Sequence, residues 1–351
     1  MKIGIIGPAL SGKTTLFQLL TGAISASGNK GGIPQGAARI PDLRADELTS
    51  VFNPKKTAYA TVEFADFPSF GTGGEVSGEM AGRLKALDAL AVVVRAHRDP
   101  SIPWPKEPIT PDKAFASFQQ EMILTDLVQV ETLLARNKDK KRTAAEEELL
   151  QACQLLLEEM KPISAGTWSD EALPFLRNYA FLSSRPVLVA INVDEEQLVE
   201  HTYNGRDELV TQCQEAGYPM VEFCGTLEME ISQMELPEQQ EFMAEYGVTQ
   251  SGIARLAAAA YQLLDLISFF TVGEDEVRAW TINAMTPAKK AAGKIHSDIE
   301  RGFIRAEVIH YDEFMSLGGS LKTARDQGKL RLEGKEYIVH DGDIINFRFN
   351  V

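Results

Sequence analysis

The chain is poor in cysteine and in positive charge. Its 351 residues include three cysteines, Cys153, Cys213 and Cys224, which lie far apart and form no Cys-x-x-Cys pair. This spacing argues against a disulfide framework or a structural zinc site and favours three reduced thiols. Because the formal net charge is −15, we do not expect the surface as a whole to bind nucleic acid.

Long hydrophobic runs are also missing. The longest, such as residues 89–94, have the length of a strand and are too short to cross a bilayer. The amino-terminal stretch does not have the pattern of a signal peptide, because Gly7 and Pro8 interrupt its short apolar run. We therefore expect a cytoplasmic protein without a membrane contact. The length of the chain predicts two or three domains.

Strand-like and helix-like segments alternate over much of the chain. A short β-branched run is followed by a glycine-rich loop, and a helical pattern over residues 14–21 then stops at Gly22. The next residues, 23–37, are rich in Gly, Ser and Ala and predict a loop. Such alternation favours a parallel sheet covered by helices on both faces. The strand candidates are residues 2–6, 62–65, 89–94, 187–191 and 220–223.

One segment, residues 114–160, interrupts this alternation. Apolar residues recur there at spacings of three and four, both before and after the polar, basic sequence RNKDKKR at 136–142. The pattern predicts two helices packed as an antiparallel hairpin. The composition favours an ordinary solvated turn at its basic tip, and the alternative is a contact for RNA or another acidic surface.

The end of the chain has a different character. A helical stretch at 253–266 is followed by a nearly neutral region with short strand-like pieces, and HDGD at 340–343 is a tight-turn signal. These features predict a small, separate β-rich domain of 85 residues or so. The strand-like pieces are residues 276–282, 306–309, 336–339 and 344–349.

The glycine-rich loop carries the strongest chemical signal. GPALSGKT at 7–14 matches the phosphate-binding pattern Gly-x-x-x-x-Gly-Lys-[Ser/Thr]. Glycines let backbone N–H groups surround an anion, Lys13 supplies a positive charge for the β- and γ-phosphates, and the Thr14 hydroxyl is a Mg²⁺ ligand. The helix that follows directs its positive end at the phosphates. The position between a strand and a helix argues against a chance match.

A second candidate is Asp66, at the end of the strand-like sequence TVEFAD. An acidic residue in this position holds Mg²⁺ in P-loop nucleotidases. The alternative is a carboxylate that only begins a turn, since Pro68 and Gly71 follow. The upstream phosphate loop favours the metal role.

A third candidate is NVDE at 192–195, which follows the fourth strand candidate. Most GTPases have Asn-Lys-x-Asp here, and the Asp binds guanine. Val193 replaces the Lys and Glu195 replaces the Asp. The longer carboxylate of Glu195 no longer aligns with both guanine donors, and Val193 is suited to packing on a flat base.

These motifs, together with the tail, resemble the YchF/Obg-like ATPase family over essentially the whole chain. The tail sequences at 269–282, 291–314 and 337–350 are similar to the TGS domain of that family. LTDLVQVETLL at 124–134 resembles its coiled-coil insertion, and FCGTLEMEI at 223–231 resembles its last base-contacting loop.

The resemblance implies an α/β fold in three parts: a P-loop NTPase parallel sheet, an inserted α-helical coiled-coil hairpin and a small β-grasp-like TGS domain. We place the nucleotide-binding domain at 1–110 and 182–265, the hairpin at 111–181 and the TGS domain at 266–351. It further implies an ATPase that tolerates GTP, requires Mg²⁺ and binds ribosomes, on the large subunit, with the helical arm and TGS domain contacting rRNA or tRNA.

The chain departs from the family pattern near the γ-phosphate. The usual Asp-x-x-Gly reads Asp66-Phe67-Pro68-Ser69, and hydrophobic Phe70 stands where Ras-like proteins have their water-orienting glutamine. We therefore expect slow hydrolysis by a translation-associated switch. The alternative is a nucleotide-sensing module with negligible hydrolysis that recruits partners through its TGS domain and arm.

The expected site residues fall into three groups. Lys13 and Thr14 are the catalytic candidates, and Thr14 and Asp66 are the metal ligands. The nucleotide-binding candidates are Gly7, Ala9, Leu10, Ser11, Gly12, Lys13, Thr14, Thr15, Asn192, Val193, Glu195, Cys224, Gly225 and Thr226.

Overall fold

The computed structural model describes residues 1–22, 32–69, 82–84, 86–104, 109–135, 142–246, 248 and 250–350. The chain forms two compact units, each assembled from two separate stretches of sequence. The first comprises Met1–Ala37 with Glu63–Ala259, and the second comprises Ala38–Val62 with Ala260–Val351. The domain boundaries that we placed from the sequence stay a prediction.

The first unit is built on a six-stranded sheet in the order β2-β4-β1-β5-β6-β7. The pairs β1–β4, β1–β5, β5–β6 and β6–β7 are parallel. Every residue of β5 and of β6 is buried, as expected for parallel strands covered on both faces. The strands are β1 Lys2–Ile6, β2 Gln35–Arg39, β4 Thr61–Asp66, β5 Ala89–Arg95, β6 Val187–Asn192 and β7 Met220–Phe223.

All five strands that the sequence predicts in this unit are confirmed, with bounds that differ by at most one residue. The structure adds β2, so the predicted loop at 23–37 is wrong for its last three residues, and residues 23–31 lie outside the described part.

The helices of this unit are α1 Lys13–Thr21, α3 Pro111–Ala135, α4 Ala144–Glu158, α5 Leu173–Tyr179, α6 Glu195–Glu200, α7 Arg206–Ala216, α8 Gly225–Ile231, α9 Leu236–Glu245 and α10 Gly252–Leu263.

The predicted helical hairpin is confirmed as α3 and α4. They share a core in which Ile123 and Val130 of α3 meet Leu150 and Cys153 of α4. A capping box between Thr143 and Glu146 begins α4 by satisfying two of its free N–H groups. Residues 136–141, which include most of the predicted basic tip, lie outside the described residues.

The second unit contains a six-stranded mixed sheet in the order β11-β10-β12-β8-β9-β3. Its β8 and β12 are parallel neighbours, flanked by the antiparallel partners β9 and β10, as in a β-grasp sheet. The strands are β3 Lys56–Ala58, β8 Leu266–Thr271, β9 Glu276–Asn283, β10 Phe303–His310, β11 Arg331–Glu333 and β12 Asp343–Phe349, and the helices are α2 Leu43–Phe52, α11 Ala288–Ile295, α12 Ser297–Arg301, α13 Tyr311–Ser316 and α14 Leu321–Asp326.

Residues 38–62 join this second unit although they are far from it in sequence. β3 pairs in parallel with β9, and Phe52 of α2 stacks on Phe314 with 5.7 Å between ring centroids. The Arg44 guanidinium donates to Asp42 at 2.9 Å and to Asp341 at 2.7 Å, and these contacts raise the Arg44 pKa although burial opposes them. The segment is therefore part of the carboxyl-terminal fold.

In this region one sequence prediction is wrong, and one predicted helix is confirmed but ends three residues earlier than expected. The predicted strand at 336–339 is a turn with one isolated bridge, between Ile338 and Pro287. Its sequence has the apolar pattern of a strand because Val339 and Tyr337 pack in the core. The predicted helix at 253–266 ends at Leu263, because the left-handed backbone of Asp265 (φ 49°) turns the chain into β8. The predicted turn at 340–343 is confirmed by Gly342, whose φ is 89°.

Candidate nucleotide-binding site

The first unit has a large cleft at the carboxyl ends of β1, β4, β5, β6 and β7. Its volume is 1580 Å³, which exceeds the usual size of a small-molecule pocket. Parallel sheets place ligands at this edge because the loops after several strands converge there. The cleft therefore has the position expected of a nucleotide site and is large enough to hold a nucleotide.

The phosphate loop joins β1 to α1, and its shape depends on glycine. Gly12 has a φ of 98°, and a Cβ added there would come within 2.3 Å of the Asn192 amide nitrogen. Gly7 has a φ of 146°, and a Cβ there would come within 2.3 Å of the Val93 carbonyl oxygen. Any side chain at either position would both strain the backbone and push the loop away from its neighbours.

Lys13 begins α1 and is almost completely buried, with 6% of its surface exposed. Its ammonium donates to the Pro8 carbonyl oxygen at 2.6 Å and to the Ser69 hydroxyl at 3.2 Å. Burial lowers the Lys13 pKa from 10.5 to about 8, although the nearby Asp66 carboxylate acts in the opposite direction. The ammonium is thus partly stripped of water at the place where a phosphate would compensate it.

Asp66 ends β4 beside the phosphate loop. The Thr14 hydroxyl donates to its Oδ2 at 2.8 Å, whereas its Oδ1 is buried and has no hydrogen-bond partner among the described residues. Burial raises the Asp66 pKa, and the Thr14 hydrogen bond and Lys13 oppose that shift. An unpartnered carboxylate oxygen next to a hydroxyl oxygen is the kind of donor set that Mg²⁺ prefers, so these residues fit the metal.

Asn192 ends β6 and connects two loops of the cleft. Its amide nitrogen donates to the Ser11 carbonyl oxygen at 3.1 Å, and its amide oxygen accepts from the Gly225 N–H at 3.1 Å. Within the described part of the chain, the second N–H of this amide has no acceptor and is available to a ligand. Asn192 therefore holds the phosphate loop and the start of α8 in register before any base is bound.

Most of the predicted site residues meet in this cleft. Four do not line it: Gly7, Ala9, Ser11 and Cys224 belong to the loops that shape it, and the Ser11 hydroxyl donates to the Pro8 carbonyl oxygen at 3.1 Å. Val193 lines the cleft but is only 2% exposed and belongs to the core. The predicted residues that line the cleft are Leu10, Gly12, Lys13, Thr14, Thr15, Asp66, Asn192, Val193, Glu195, Gly225 and Thr226.

Sequence reasoning missed the contribution of the loop after β5. His97 and Arg98 line the cleft, and Arg98 donates to Asp194 at 3.1 Å and to Glu196 at 2.6 Å, which secures the first turn of α6 next to Glu195. Burial lowers the His97 pKa and thereby favours the neutral form of its ring. Their position directly after a buried strand could have identified them, because neighbouring parallel strands end at one edge.

Three comparisons with known proteins agree on the family. The profile for the carboxyl-terminal domain of YchF GTPases, described as a protein of unknown function, matches residues 266–350. The ribosome-binding ATPase YchF of Bacillus subtilis is 37% identical, and the alignment covers 100% of both chains. Obg-like ATPase 1 of Caenorhabditis elegans is 30% identical and is aligned over 100% of this chain and 92% of its own length.

A solved structure supports the same assignment. The Schizosaccharomyces pombe YchF GTPase superposes with a TM-score of 0.88 at 26% sequence identity, covering 99% of this chain and 97% of that one. The full-length sequence matches and this superposition confirm the P-loop fold and the resemblance inferred from the motifs. This chain belongs to the YchF/Obg-like ATPase family, a nucleotide-binding branch of the P-loop GTPase fold.

Proposed function

We propose that this protein is a slow, Mg²⁺-dependent nucleoside triphosphatase that prefers ATP to GTP and acts in the cytoplasm as a ribosome-associated switch. The observation that carries the proposal is the grouping of Lys13, Thr14 and Asp66 in the lining of one cleft. It unites a desolvated cation with an unpartnered carboxylate oxygen, which is the combination that a triphosphate and its metal require.

Each of these residues has a separate task in binding. Lys13 would bind the β- and γ-phosphates, together with the loop N–H groups and the amino terminus of α1. The Thr14 hydroxyl and the Asp66 carboxylate would hold Mg²⁺, which neutralises phosphate charge when it is bound. The family membership of the chain supports this assignment, because the relatives are named as ATPases.

The preference for adenine rests on the loop after β6. Glu195 is the exposed first residue of α6, and its longer side chain does not reproduce the two-point contact that an Asp makes with guanine. Gly225 and Thr226 would complete the base site at the start of α8, and the buried Cys224 supports them from outside the cleft. Titration calorimetry with non-hydrolysable ATP and GTP analogues tests this: we expect ATP to bind more tightly, and a tenfold preference for GTP, about 1.4 kcal/mol, would overturn it.

Ribosome association is carried over from the relatives, several of which are named ribosome-binding. We propose that the helical arm at 111–181 and the TGS domain at 266–351 contact rRNA or tRNA on the large subunit. Because the whole chain is acidic, such contacts would depend on local patches.

The described helices include none with the length and apolar character that a membrane span requires.

The rate of hydrolysis separates the switch from the alternative, a sensing module with negligible turnover. No glutamine lines the described part of the cleft, and Phe70 lies outside the described residues. This observation favours slow intrinsic hydrolysis under either proposal. Single-turnover kinetics with and without ribosomes discriminate: acceleration by ribosomes supports the switch, and stable triphosphate binding without turnover in both conditions supports the sensing module.

Nucleotide affinity should depend on pH through Lys13. Its pKa of about 8 in the free protein means that alkaline solution removes the cation that binds phosphate. We expect ATP affinity to be flat below pH 7.5 and to fall toward about tenfold per pH unit above pH 8, with one proton taken up on binding. Calorimetry in buffers of different ionisation enthalpy measures the uptake, and a constant affinity up to pH 9.5 would contradict the role of Lys13.

The titration of Lys13 should also change the stability of the fold, with a pH dependence opposite to that of ATP affinity. The Lys13 pKa in the folded chain, about 8, lies below its ordinary value of 10.5, so the unfolded chain binds more protons between these pH values. The Lys13 contribution to the free energy of unfolding therefore rises with pH through this window, whereas the affinity for ATP falls. Opposite trends in affinity and stability distinguish titration of this lysine from general alkaline denaturation.

A further inference from the structure

The hydrogen bonds of the Lys13 ammonium leave a defined direction for a ligand. An ammonium has three N–H donors. One is used by the Pro8 carbonyl oxygen at 2.6 Å and one by the Ser69 hydroxyl at 3.2 Å. The third has no acceptor among the described residues and is therefore available to a phosphate oxygen. A phosphate bound by this third donor would therefore lie beside Ser69, because the same nitrogen atom contacts both.

The Ser69 hydroxyl is itself prepared to donate. Its oxygen accepts from Lys13, so its own proton must go to another acceptor. Accepting from a cation polarises the O–H bond and strengthens the hydrogen bond that it donates. Ser69 is exposed and lines the cleft, so a bound anion can reach this proton.

The residues before Ser69 hold it in place. The Phe67 N–H donates to the Ile5 carbonyl oxygen of β1 at 3.0 Å, and the Phe67 side chain is buried, with 4% exposed. Pro68 has a fixed φ and restricts the backbone of Phe67 as well. The loop that carries Ser69 is thus anchored to the strand that leads into the phosphate loop.

We propose that the Ser69 hydroxyl donates a hydrogen bond to the terminal phosphate of a bound nucleoside triphosphate and thereby discriminates triphosphate from diphosphate. This inference rests on the proposed nucleotide-binding function. Lys13 of such a loop pairs with the β- and γ-phosphates. Ser69 contacts this ammonium and follows by three residues Asp66, whose carboxylate accepts from the Thr14 hydroxyl, so an oxygen of the outer phosphate held by Lys13 would lie within reach of the Ser69 hydroxyl.

The side chain also distinguishes this chain from the family pattern, which has glycine at this position of Asp-x-x-Gly. A glycine offers only its backbone N–H to a phosphate. Serine adds a second donor but gives up backbone freedom. In the structure the Ser69 hydroxyl oxygen accepts from the Lys13 ammonium, so the added O–H remains free to donate beside the group that would meet the phosphate.

The test compares Ser69→Ala with wild type in titrations with magnesium and either ADP or a non-hydrolysable ATP analogue. Loss of a hydrogen bond to a charged acceptor should weaken binding of the ATP analogue about tenfold. ADP affinity should change by less than about twofold, because ADP lacks the phosphate concerned. Ser69→Thr keeps the hydroxyl and should retain most of the discrimination. Ser316→Ala, at an exposed serine of the second unit, should alter neither affinity.

Other outcomes are informative in different ways. Equal weakening of both ligands would mean that Ser69 only positions Lys13, and unchanged or tighter binding of the ATP analogue would mean that the hydroxyl makes no contact with phosphate; each overturns the inference and leaves the proposed function standing. If the wild-type protein bound neither ligand at millimolar concentration, the proposed nucleotide-binding function itself would be wrong. Far-ultraviolet circular dichroism of each variant shows whether a lost affinity reflects a lost fold, and Ser69→Thr then supplies the comparison.

Discussion

Replacing Lys13 with alanine is expected to weaken binding of Mg²⁺ and ATP by about 100-fold, or roughly 3 kcal/mol, and to reduce turnover to background. The ammonium is the only side-chain cation of the phosphate loop at 7–14, and its contacts with the Pro8 carbonyl and the Ser69 hydroxyl aim it into the cleft. Titration calorimetry and a phosphate-release assay measure the two effects.

The same substitution should not destabilise the fold. Burial lowers the Lys13 pKa, which means that the folded protein disfavours the charged form. Removing the side chain therefore relieves the desolvation of a cation, and we expect a Tm equal to or above that of wild type. Lys161→Ala, at an exposed lysine outside the cleft, is the matched control and should leave affinity and turnover unchanged. Residual turnover equal to wild type in Lys13→Ala would refute the site.

Replacing Asp126 with alanine is expected to cost about 3–5 kcal/mol of the free energy of unfolding of the first unit. This carboxylate on α3 is fully buried and accepts from the Leu182 N–H at 2.9 Å, the Ser183 N–H at 2.7 Å and the Ser183 hydroxyl at 2.6 Å. Its charge also interacts with Arg185. Without it, two buried N–H groups would have no acceptor.

The position of these contacts makes the effect specific. Leu182 and Ser183 lie just before β6, the strand that ends in Asn192, so Asp126 ties the helical hairpin to a strand of the cleft. Hydrogen exchange should be faster at the Leu182 and Ser183 amides, and urea denaturation gives the free energy of unfolding.

Asp126→Asn, which keeps one acceptor oxygen, should lose about half as much free energy of unfolding as Asp126→Ala. Glu131→Ala, at an exposed position of the same helix, should change stability by less than about 0.5 kcal/mol. A loss of that small size in Asp126→Ala would contradict this account.

The phosphate loop and most strands could be predicted because their causes are local. A β-branched run, two glycines, a lysine and a hydroxyl residue all lie within residues 2–14, and the bounds of β1 and β7 agree with the prediction. The strand prediction at 336–339 is wrong because the backbone conformation there is decided by contacts that are not local. Tyr337 and Val339 have strand-like side chains, yet their backbone bonds to the loop before α11, a choice that depends on distant residues.

The cleft was only partly predictable. Lys13, Thr14 and Asp66 follow from motifs, but the contact of Lys13 with Ser69 joins residues 56 positions apart. The bridge that Asn192 makes between Ser11 and Gly225 spans distances of 181 and 33 residues. Contacts of this kind depend on the order of strands in the sheet, which a single sequence does not state. For the same reason, the role of Arg98 beside Asp194 was missed.

By itself, the sequence determined the chemistry of the phosphate loop, the alternation of strands and helices, and the family. Tertiary structure alone decided that β3, within residues 38–62, joins the carboxyl-terminal sheet, that the Ser69 hydroxyl meets the Lys13 ammonium, and that Asp126 supports the start of β6. The physical reason is the range of the forces involved. Backbone preference and side-chain periodicity act over a few residues, whereas burial and hydrogen-bond satisfaction are settled between segments that meet only in the folded chain.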